Sequence, residues 1–314
     1  MSLSPSLRRL LAPVVLAAAA MLPAAHAQTA AHAAPATSAA KGPTQTRHPI
    51  VLVHGLFGFK QVLGLEYFNG IPQALRAGGA TVYIAQVSQV NDNDVRGEQL
   101  LRQLRQWAAA GGHEKFNLVG HSQGGPTARY VAGVAPQLVA SVTTVASPHV
   151  LAQGGSRDGA LGTLLYEAPA VAEALGRVIA WLSGTPRAPH DVEALKAWAA
   201  DTAAFNARFP LGAPTTPCGS GPELDGGVRF YSITGIGVKT NGWDVTDLVV
   251  DDLGVPSDGV VTQCAAAWGM VIRNDYPWNH FDEVNQAFGL IGKGAPDPVA
   301  FYRAQANRLK LLGL

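Results

Sequence analysis

The sequence predicts an α/β fold, in which helices flank a mostly parallel central sheet. Two observations lead to this prediction: short apolar runs alternate with helical patterns, and the runs show no polar alternation, as expected of strands buried on both faces. The 314 residues are 47% hydrophobic and only 14% charged, with a formal net charge of +1. This composition supports a large core and argues against disorder, and no Lys/Arg-rich run points to a nucleic-acid partner.

The first predicted strand lies within "HPIVLVHGLFG", residues 48–58, a continuous apolar run that ends in glycine. Residues 96–112 predict a helix, because Leu100, Leu104 and Trp107 recur at helical spacing before a glycine pair. The other elements of this half are a helix and a strand within 67–87, a strand at 115–122, a helix at 126–136 and a strand at 139–149. Since strands followed by helices require crossover connections, the sheet should be mostly parallel.

From about Val150 to Pro210 the pattern changes to apolar helices with no strand between them. These are either ordinary core helices or a mobile cover over an apolar site. We favour a cover, because the segment directly follows the strand that comes after the serine turn described below. Beyond it, strands are predicted at 228–235 and 258–268, and a closing helix at 297–313.

Residues 1–27 form a predicted secretory signal peptide: Arg8 and Arg9 precede an apolar run and the small-residue site Ala25-His26-Ala27, after which cleavage is expected. A membrane anchor is the alternative, but the run is short for a span and two prolines interrupt it. We therefore predict a secreted protein that passes through the periplasm and has no transmembrane anchor in its mature form. The general export route ranks above a twin-arginine route. Residues 28–47, rich in Ala, Pro and Thr, predict a flexible lead-in to one domain at 48–314.

Cys218 and Cys264 are the only cysteines of the chain. In an exported protein, two cysteines favour one disulfide over two free, buried thiols. Closing a loop of this length is expected to stabilise the fold by about 4 kcal/mol on the chain-entropy model.

The segment "FNLVGHSQGGPTARYVA", residues 116–132, places Gly120-His121-Ser122-Gln123-Gly124 between a buried strand and a helix. This is the G-x-S-x-G pattern in the context that a nucleophilic serine requires. Glycine on both sides permits a sharp turn, and the following helix directs its N–H groups and positive dipole end toward Ser122. The pattern predicts a nucleophile rather than a plain structural turn.

A serine hydroxyl needs a base to take its proton and an acid to orient that base. In this architecture the acid follows the serine and the base comes last. His280 and His190 are the only histidines well after Ser122, and we favour His280 because it follows the last sheet-like stretch. Asp258 is the favoured acid because it directly precedes an apolar predicted strand; the other candidates are Asp244, Asp247, Asp251 and Asp252.

The oxyanion that forms when an ester carbonyl is attacked needs two backbone N–H donors. One is predicted at Gln123, directly after the nucleophile. The other is predicted at Leu56, in the loop "HGLFG" that follows the first strand.

Four features stand out together: "VLVHGLFG", "LVGHSQGG", the cysteine pair and "NHFDEVNQAFGL". With them the chain resembles the secreted triacylglycerol lipases of the Pseudomonas and Burkholderia type, from about His48 to Leu314 and most weakly over 150–215. The resemblance implies an α/β-hydrolase fold, a helical lid at about 150–210, one disulfide, one structural Ca²⁺ ion and a membrane-bound foldase that acts before secretion. By position it implies the triad Ser122, Asp258 and His280, with oxyanion donors Leu56 and Gln123.

The resemblance also implies the ligands of the Ca²⁺ ion: the carboxylates of Asp244 and Asp282 and the carbonyl oxygens of Gln286 and Leu290. A hard cation bound by oxygen ligands would fix the loop of the base, since Asp282 lies two residues beyond it. Asp247 is the alternative to Asp244. The sequence departs from the family after "ASPH", where Lys-Gly-Ser is absent, and the glutamine after the serine is more like the Burkholderia branch.

The predicted activity is hydrolysis of long-chain acylglycerols at a lipid–water interface by a serine carboxylic-ester hydrolase. An esterase or a polyester depolymerase with the same triad is the alternative within this chemistry. A non-catalytic exported binding protein is the alternative from another class, and the complete set of nucleophile, base, acid and oxyanion loop argues against it.

Overall fold

A computed structural model describes residues 42–151, 159–286 and 288–314 of the chain. The predicted signal peptide, 1–27, and most of the predicted lead-in lie outside these ranges. Residues 42–47 are packed rather than a free linker: Thr44 is fully buried, and its hydroxyl donates to the carbonyl of Leu75 at 2.6 Å. The packed domain therefore begins by Gly42, and the predicted boundary at 48 is too late.

The central sheet has seven strands, and all of its pairings but one are parallel, which confirms the predicted fold class. The strands are β1 Ile50–Val53, β2 Gln61–Val62, β3 Leu65–Glu66, β4 Val82–Ile84, β5 Phe116–His121, β6 Val139–Val145, β7 Leu224–Asp225, β8 Val228–Gly235 and β9 Met270–Tyr276. In the central sheet β4, β1, β5, β6 and β8 lie side by side in that order, β9 pairs in parallel with β8, and the short β7 pairs with β8 antiparallel. A separate hairpin joins β2 and β3.

Helices cover both faces of the sheet, as the continuous apolar strands require. β1 shows the reason: Val51 and Val53 face one hydrophobic cluster and Ile50 and Leu52 face the other, because side chains alternate along a strand. The helices that flank the sheet are α1 Ile71–Ala77, α2 Asn93–Gly111, α3 Gly124–Val134 and α8 Pro298–Leu311. The first cluster includes residues of α2 and α3, and the second includes residues of α1 and α8.

The segment after β6 is helical in its described part and contributes no strand to the sheet. It contains four helices, α4 Gly159–Glu167, α5 Pro169–Leu182, α6 Val192–Ala200 and α7 Thr202–Arg208. A third hydrophobic cluster joins α4, α5 and α6 to the loop after β1, with Leu164, Leu195 and Trp198 packed near Leu56 and Phe57. The helices therefore pack over the loop that is predicted to supply an oxyanion donor.

The predicted strand at 258–268 is wrong, and the last parallel strand is β9 instead. Asp258 accepts the backbone N–H groups of Val260 and Val261 at 2.8 and 2.6 Å, and Gly259 has a φ of +88°. These bonds close a turn, so the apolar residues after it cannot continue as an extended strand. The predicted disulfide between Cys218 and Cys264 is present. It joins residues 46 positions apart, and Cys264 lies shortly after this turn.

Candidate active site

Ser122 occupies a sharp turn between the end of β5 and the start of α3. Its φ is +54°, a left-handed conformation that is rare for serine, and its N–H donates to the carbonyl of Val145 at 2.9 Å. The flanking glycines are required by space. A Cβ on Gly120 would lie 2.3 Å from the carbonyl oxygen of Gly124, and a Cβ on Gly124 would lie 2.1 Å from that of Val53.

His280 and Asp258 form a buried pair held by two contacts. The Nδ1 atom of His280 lies 2.7 Å from a carboxylate oxygen of Asp258, and its backbone N–H donates to the carbonyl of Asp258 at 2.9 Å. Because the carboxylate accepts, Nδ1 carries the proton, and Nε2 is left to accept one. Asp258 thus acts in two ways, since its other carboxylate oxygen closes the turn described above.

The nucleophile and the base are brought to adjoining positions. The ring of His121, which directly precedes Ser122, lies against the ring of His280 with centroids 4.6 Å apart. Among the described residues, however, the Ser122 hydroxyl makes no side-chain hydrogen bond to the imidazole. Such contacts are often long before substrate binds, and the full triad stays a prediction.

The loop after β1 packs directly against the nucleophile. A Cβ on Gly55 would lie 2.7 Å from the Cβ of Ser122, so glycine is needed for this approach. The carbonyl of Gly55 accepts from Nδ1 of His54 at 2.9 Å and from the N–H of Gly58 at 3.2 Å. Since the peptide is trans, fixing this carbonyl also fixes the opposite direction of the Leu56 N–H.

Arg96 is a site residue that the sequence analysis missed. This fully buried cation donates to the carbonyl of His54 at 2.6 Å and, more weakly, to that of Gly55 at 3.5 Å. It also lies beside His54, where burial and the positive charge of Arg96 lower the histidine pKa to about 3. A signal was present, because Arg96 lies four residues before Leu100 and so shares the apolar face of α2.

The alternative acids and base are engaged elsewhere. His190 bonds to Gln89 at 3.0 Å, and Asp251 accepts from the N–H of Ala160 at 3.1 Å, at the start of α4. Asp252 caps its own turn through the N–H of Gly254. None of these side chains contacts His280 in the described part of the chain.

Ser122, Gln123 and Leu56 line a cavity of about 130 Å³. Most of its other walls are apolar and come from the helices after β6 and from the segments on both sides of Asp258. They include Leu161, Leu165, Leu195, Trp198, Val249, Leu253 and Val260. The serine turn therefore opens into a space suited to a hydrocarbon chain.

Two carboxylates have buried oxygens with no hydrogen-bond partner in the described ranges: Oδ2 of Asp244, and Oδ1 of Asp282 in the loop that carries His280. Burial, together with the charge of Asp244, raises the pKa of Asp282 to about 6. Asp247 is different, because its two oxygens accept from the N–H groups of Thr240 and Asn241 and from the side chain of Asn279. The free oxygens therefore favour Asp244 over Asp247 as a cation ligand.

The donor set fits a hard cation only if backbone oxygens complete it. The described residues hold no group of three or more His, Cys, Asp or Glu side chains that could bind a metal. Gln286 is placed by its amide, which donates to the carbonyls of Glu66 and Tyr67, both at 2.5 Å. This arrangement leaves the backbone oxygens of Gln286 and Leu290 as the remaining predicted ligands.

Comparison with known proteins identifies the family. A family model of the α/β-hydrolase fold matches residues 48–168. A triacylglycerol lipase from Vibrio cholerae is 44% identical over 282 residues, which cover 86% of this chain and 90% of the relative. The chain belongs to the triacylglycerol lipase family of α/β-hydrolases.

Other matches agree with this membership. The triacylglycerol lipase of Pseudomonas fragi is 39% identical to this chain over 296 residues, which cover 86% of this chain and 98% of the relative. A carboxyl esterase of metagenomic origin superposes with a TM-score of 0.52 at 16% identity, over 89% of this chain and 79% of its own, which shows the shared fold alone. Within the described ranges, no helix has the length and apolar character needed to cross a membrane.

Proposed function

We propose that this protein is a triacylglycerol lipase that cleaves acylglycerol esters with Ser122, His280 and Asp258. The observation that carries the proposal is the buried His280–Asp258 pair, at 2.7 Å, beside a strained serine turn that opens into an apolar cavity. Relatives up to 44% identical are named for this activity.

The chemistry follows from the positions of these groups. The Ser122 oxygen attacks the ester carbonyl carbon while Nε2 of His280 takes the serine proton, and Asp258 stabilises the resulting imidazolium. The N–H groups of Leu56 and Gln123 stabilise the oxyanion. As the intermediate collapses, His280 gives the proton to the leaving alcohol, and water then releases the fatty acid from Ser122 by the same steps.

The apolar cavity and the helices above it support a lipid substrate. Leu161, Leu165 and Trp198 line the cavity from the segment that we propose is a lid, about 150–210. Opening that segment would expose these side chains to a lipid surface, which links activity to a lipid–water interface. Long-chain acylglycerols are accordingly the proposed substrates.

A structural Ca²⁺ ion forms part of the proposal. Asp244 and Asp282 would supply carboxylates, and Gln286 and Leu290 would supply carbonyl oxygens. The ion would satisfy the two free buried oxygens and fix the loop that carries His280, with no role in proton transfer.

Secretion is proposed from the sequence and the disulfide, and assisted folding from the family resemblance of the sequence. The charged, apolar and small-residue order of residues 1–27 supports export, and the Cys218–Cys264 disulfide suits an oxidising compartment. A membrane-bound foldase is the proposed partner during export. Expression with and without a co-produced foldase, followed by measurement of folded enzyme, tests that partner.

The function is tested by hydrolysis of a chain-length series of acylglycerols, as emulsions and as soluble short esters. We expect turnover of emulsified long-chain triglyceride, and Ser122→Ala should lower kcat by at least about 10⁴-fold. His190→Ala is the matched control and should retain wild-type activity. Cleavage of short esters alone, unaffected by an interface, would reduce the function to an esterase, and a clearing of polyester films but not of oil would indicate a depolymerase.

A further inference from the structure

Two polar side chains next to the serine turn form an unbroken line of hydrogen bonds. The N–H of Gly55 donates to the hydroxyl of Tyr67 at 3.1 Å, and that hydroxyl lies 2.8 Å from Nδ1 of His121. Nε2 of His121 in turn lies 2.9 Å from the carbonyl oxygen of His280. The line therefore joins the loop after β1 to the loop of the base and passes beside the nucleophile.

Each bond in this line has only one consistent direction. The carbonyl of His280 can only accept, so the proton of His121 is on Nε2. Burial, and next the charge of His280, lowers the pKa of His121, which keeps the ring neutral and leaves Nδ1 as an acceptor. The Tyr67 hydroxyl therefore donates to Nδ1, and its oxygen accepts from Gly55.

We propose that Tyr67 and His121 are positioning residues for ester hydrolysis, which set the oxyanion loop and the base at a fixed separation on either side of Ser122. We call Tyr67 and His121 together the strut. This inference rests on the proposed function. In it, neither Tyr67 nor His121 contacts the substrate.

The strut supplies a constraint that the other contacts lack. Asp258 accepts hydrogen bonds from the backbone N–H and from the ring of His280, so both of these bonds depend on one residue. The strut holds the carbonyl of His280 from a different element, β5, whose last residue, His121, directly precedes the nucleophile. A shift of the base relative to Ser122 would therefore have to break the His121 bond.

Within the strut, Tyr67 is the residue that fixes the loop after β1. Tyr67 holds the N–H of Gly55, while His54 holds the carbonyl of Gly55, so both peptide units around this glycine are fixed. The proposed oxyanion donor, the Leu56 N–H, belongs to the second of these units. Loss of the Tyr67 hydroxyl would release the first unit and leave its N–H without an acceptor.

The test compares Tyr67→Phe with a matched control, Tyr231→Phe, on a soluble ester that needs no interface. Tyr231 is fully buried on β8 and also donates one hydrogen bond, to Glu223 at 2.7 Å, away from the serine turn. We expect Tyr67→Phe to lower kcat by about 10–100-fold, since small misplacements of reacting groups have effects of this size. Its KM should stay within about twofold of wild type, as for a group that acts only on the transition state. A kcat equal to that of Tyr231→Phe would refute the strut.

A second measurement is independent of hydrolysis. In the ¹⁵N spectrum of histidine-labelled Ser122→Ala protein at neutral pH, His121 should be neutral with its proton on Nε2, and Tyr67→Phe should shift its Nδ1 resonance. A charged His121, or one protonated on Nδ1, contradicts the proposal. A wild type that hydrolyses no ester overturns the proposed function, whereas an active wild type with an unimpaired Tyr67→Phe variant overturns the strut alone.

Discussion

At the scale of single residues, the serine turn is held by close backbone packing. Ser122 has a φ of +54°, which is unfavourable for a residue with a side chain, and its neighbours offset that strain. The N–H of Ser122 is bonded to Val145, and Gly124 sits where any Cβ would meet the carbonyl of Val53 at 2.1 Å. The strained conformation of Ser122 therefore persists because hydrogen bonding and close packing against the neighbouring strands hold the backbone of the turn in place.

Gly124→Ala tests this packing. Because the clash is with the backbone of β1 rather than with a flexible side chain, we expect a loss of about 3 kcal/mol in the free energy of unfolding, at the upper end of the usual cost of overpacking, or failure to fold. Urea unfolding measures the loss. Gly242→Ala is the control, since no heavy atom lies within 4 Å of its added Cβ, and it should change stability little. Equal stability of the two variants would contradict the packing argument.

At the scale of elements, the loop between β9 and α8, which carries His280, contains only a single 3₁₀ turn at Asp282–Val284 in its described part and is held by buried polar groups. Asp282 and Glu283 are both fully buried, although an adjacent acidic pair is more often on a solvated surface. Burial, and next the charge of Asp258, raises the pKa of Glu283, and burial raises that of Asp282 to about 6. Concentrating acids in this loop costs stability unless a cation is bound beside them.

Calcium should therefore raise the melting temperature of the protein. A free concentration of about 100 times Kd stabilises by about 2.7 kcal/mol, which corresponds to several degrees for a domain of this size. The effect should be larger at pH 8 than at pH 5, because protons compete for Asp282 below its pKa of about 6. Scanning calorimetry with calcium and with chelator measures both effects.

Two variants make this measurement specific. Asp244→Asn should abolish the calcium-dependent shift, since it removes one proposed ligand. Asp252→Asn changes an exposed carboxylate in the same β8–β9 connection as Asp244 and should leave the shift intact. A melting temperature that is the same in calcium and in chelator for the wild type removes the proposed ion.

At the scale of the whole molecule, several histidines are buried in neutral form around the site. His54, His121 and His149 are almost inaccessible, and burial is the main cause that lowers the pKa of each. In the unfolded chain they would gain protons below about pH 6.5. In mildly acidic solution these three histidines bind more protons in the unfolded state than in the folded state, so their contribution to stability falls as the pH falls. The buried acids Asp282 and Glu283 act in the opposite direction, because folding raises their pKa values.

For His54 this window runs from about pH 6.5 down to its folded pKa of about 3. Within it, each pH unit should cost up to about 1.4 kcal/mol in the free energy of unfolding. We expect His54→Asn, whose amide can still donate to Gly55, to flatten the dependence by that amount between pH 6 and pH 4. Urea unfolding at several pH values compares the two slopes under identical conditions, and parallel slopes would contradict a neutral, buried His54.

Patterns that depend on neighbours in the chain were readable from the sequence alone. The alternation of apolar runs with helical patterns predicted the parallel sheet, and G-x-S-x-G between a strand and a helix predicted the turn at Ser122. The same reasoning failed at 258–268, where apolar residues suggested a strand. There the side chain of Asp258 competes for the backbone N–H groups of Val260 and Val261, and a local turn forms instead.

Only the tertiary structure decided which distant groups meet. From the sequence, His190 was an alternative to His280 as the base, and four other aspartates were alternatives to Asp258 as the acid. In the folded protein His280 bonds to Asp258, while His190 bonds to Gln89. The site residues Arg96, Tyr67 and His121 were likewise identified only from their hydrogen bonds in the folded protein. The physical reason is that periodicity and turn chemistry act over a few residues, whereas hydrogen-bond partners and burial depend on crossover connections that bring remote segments together.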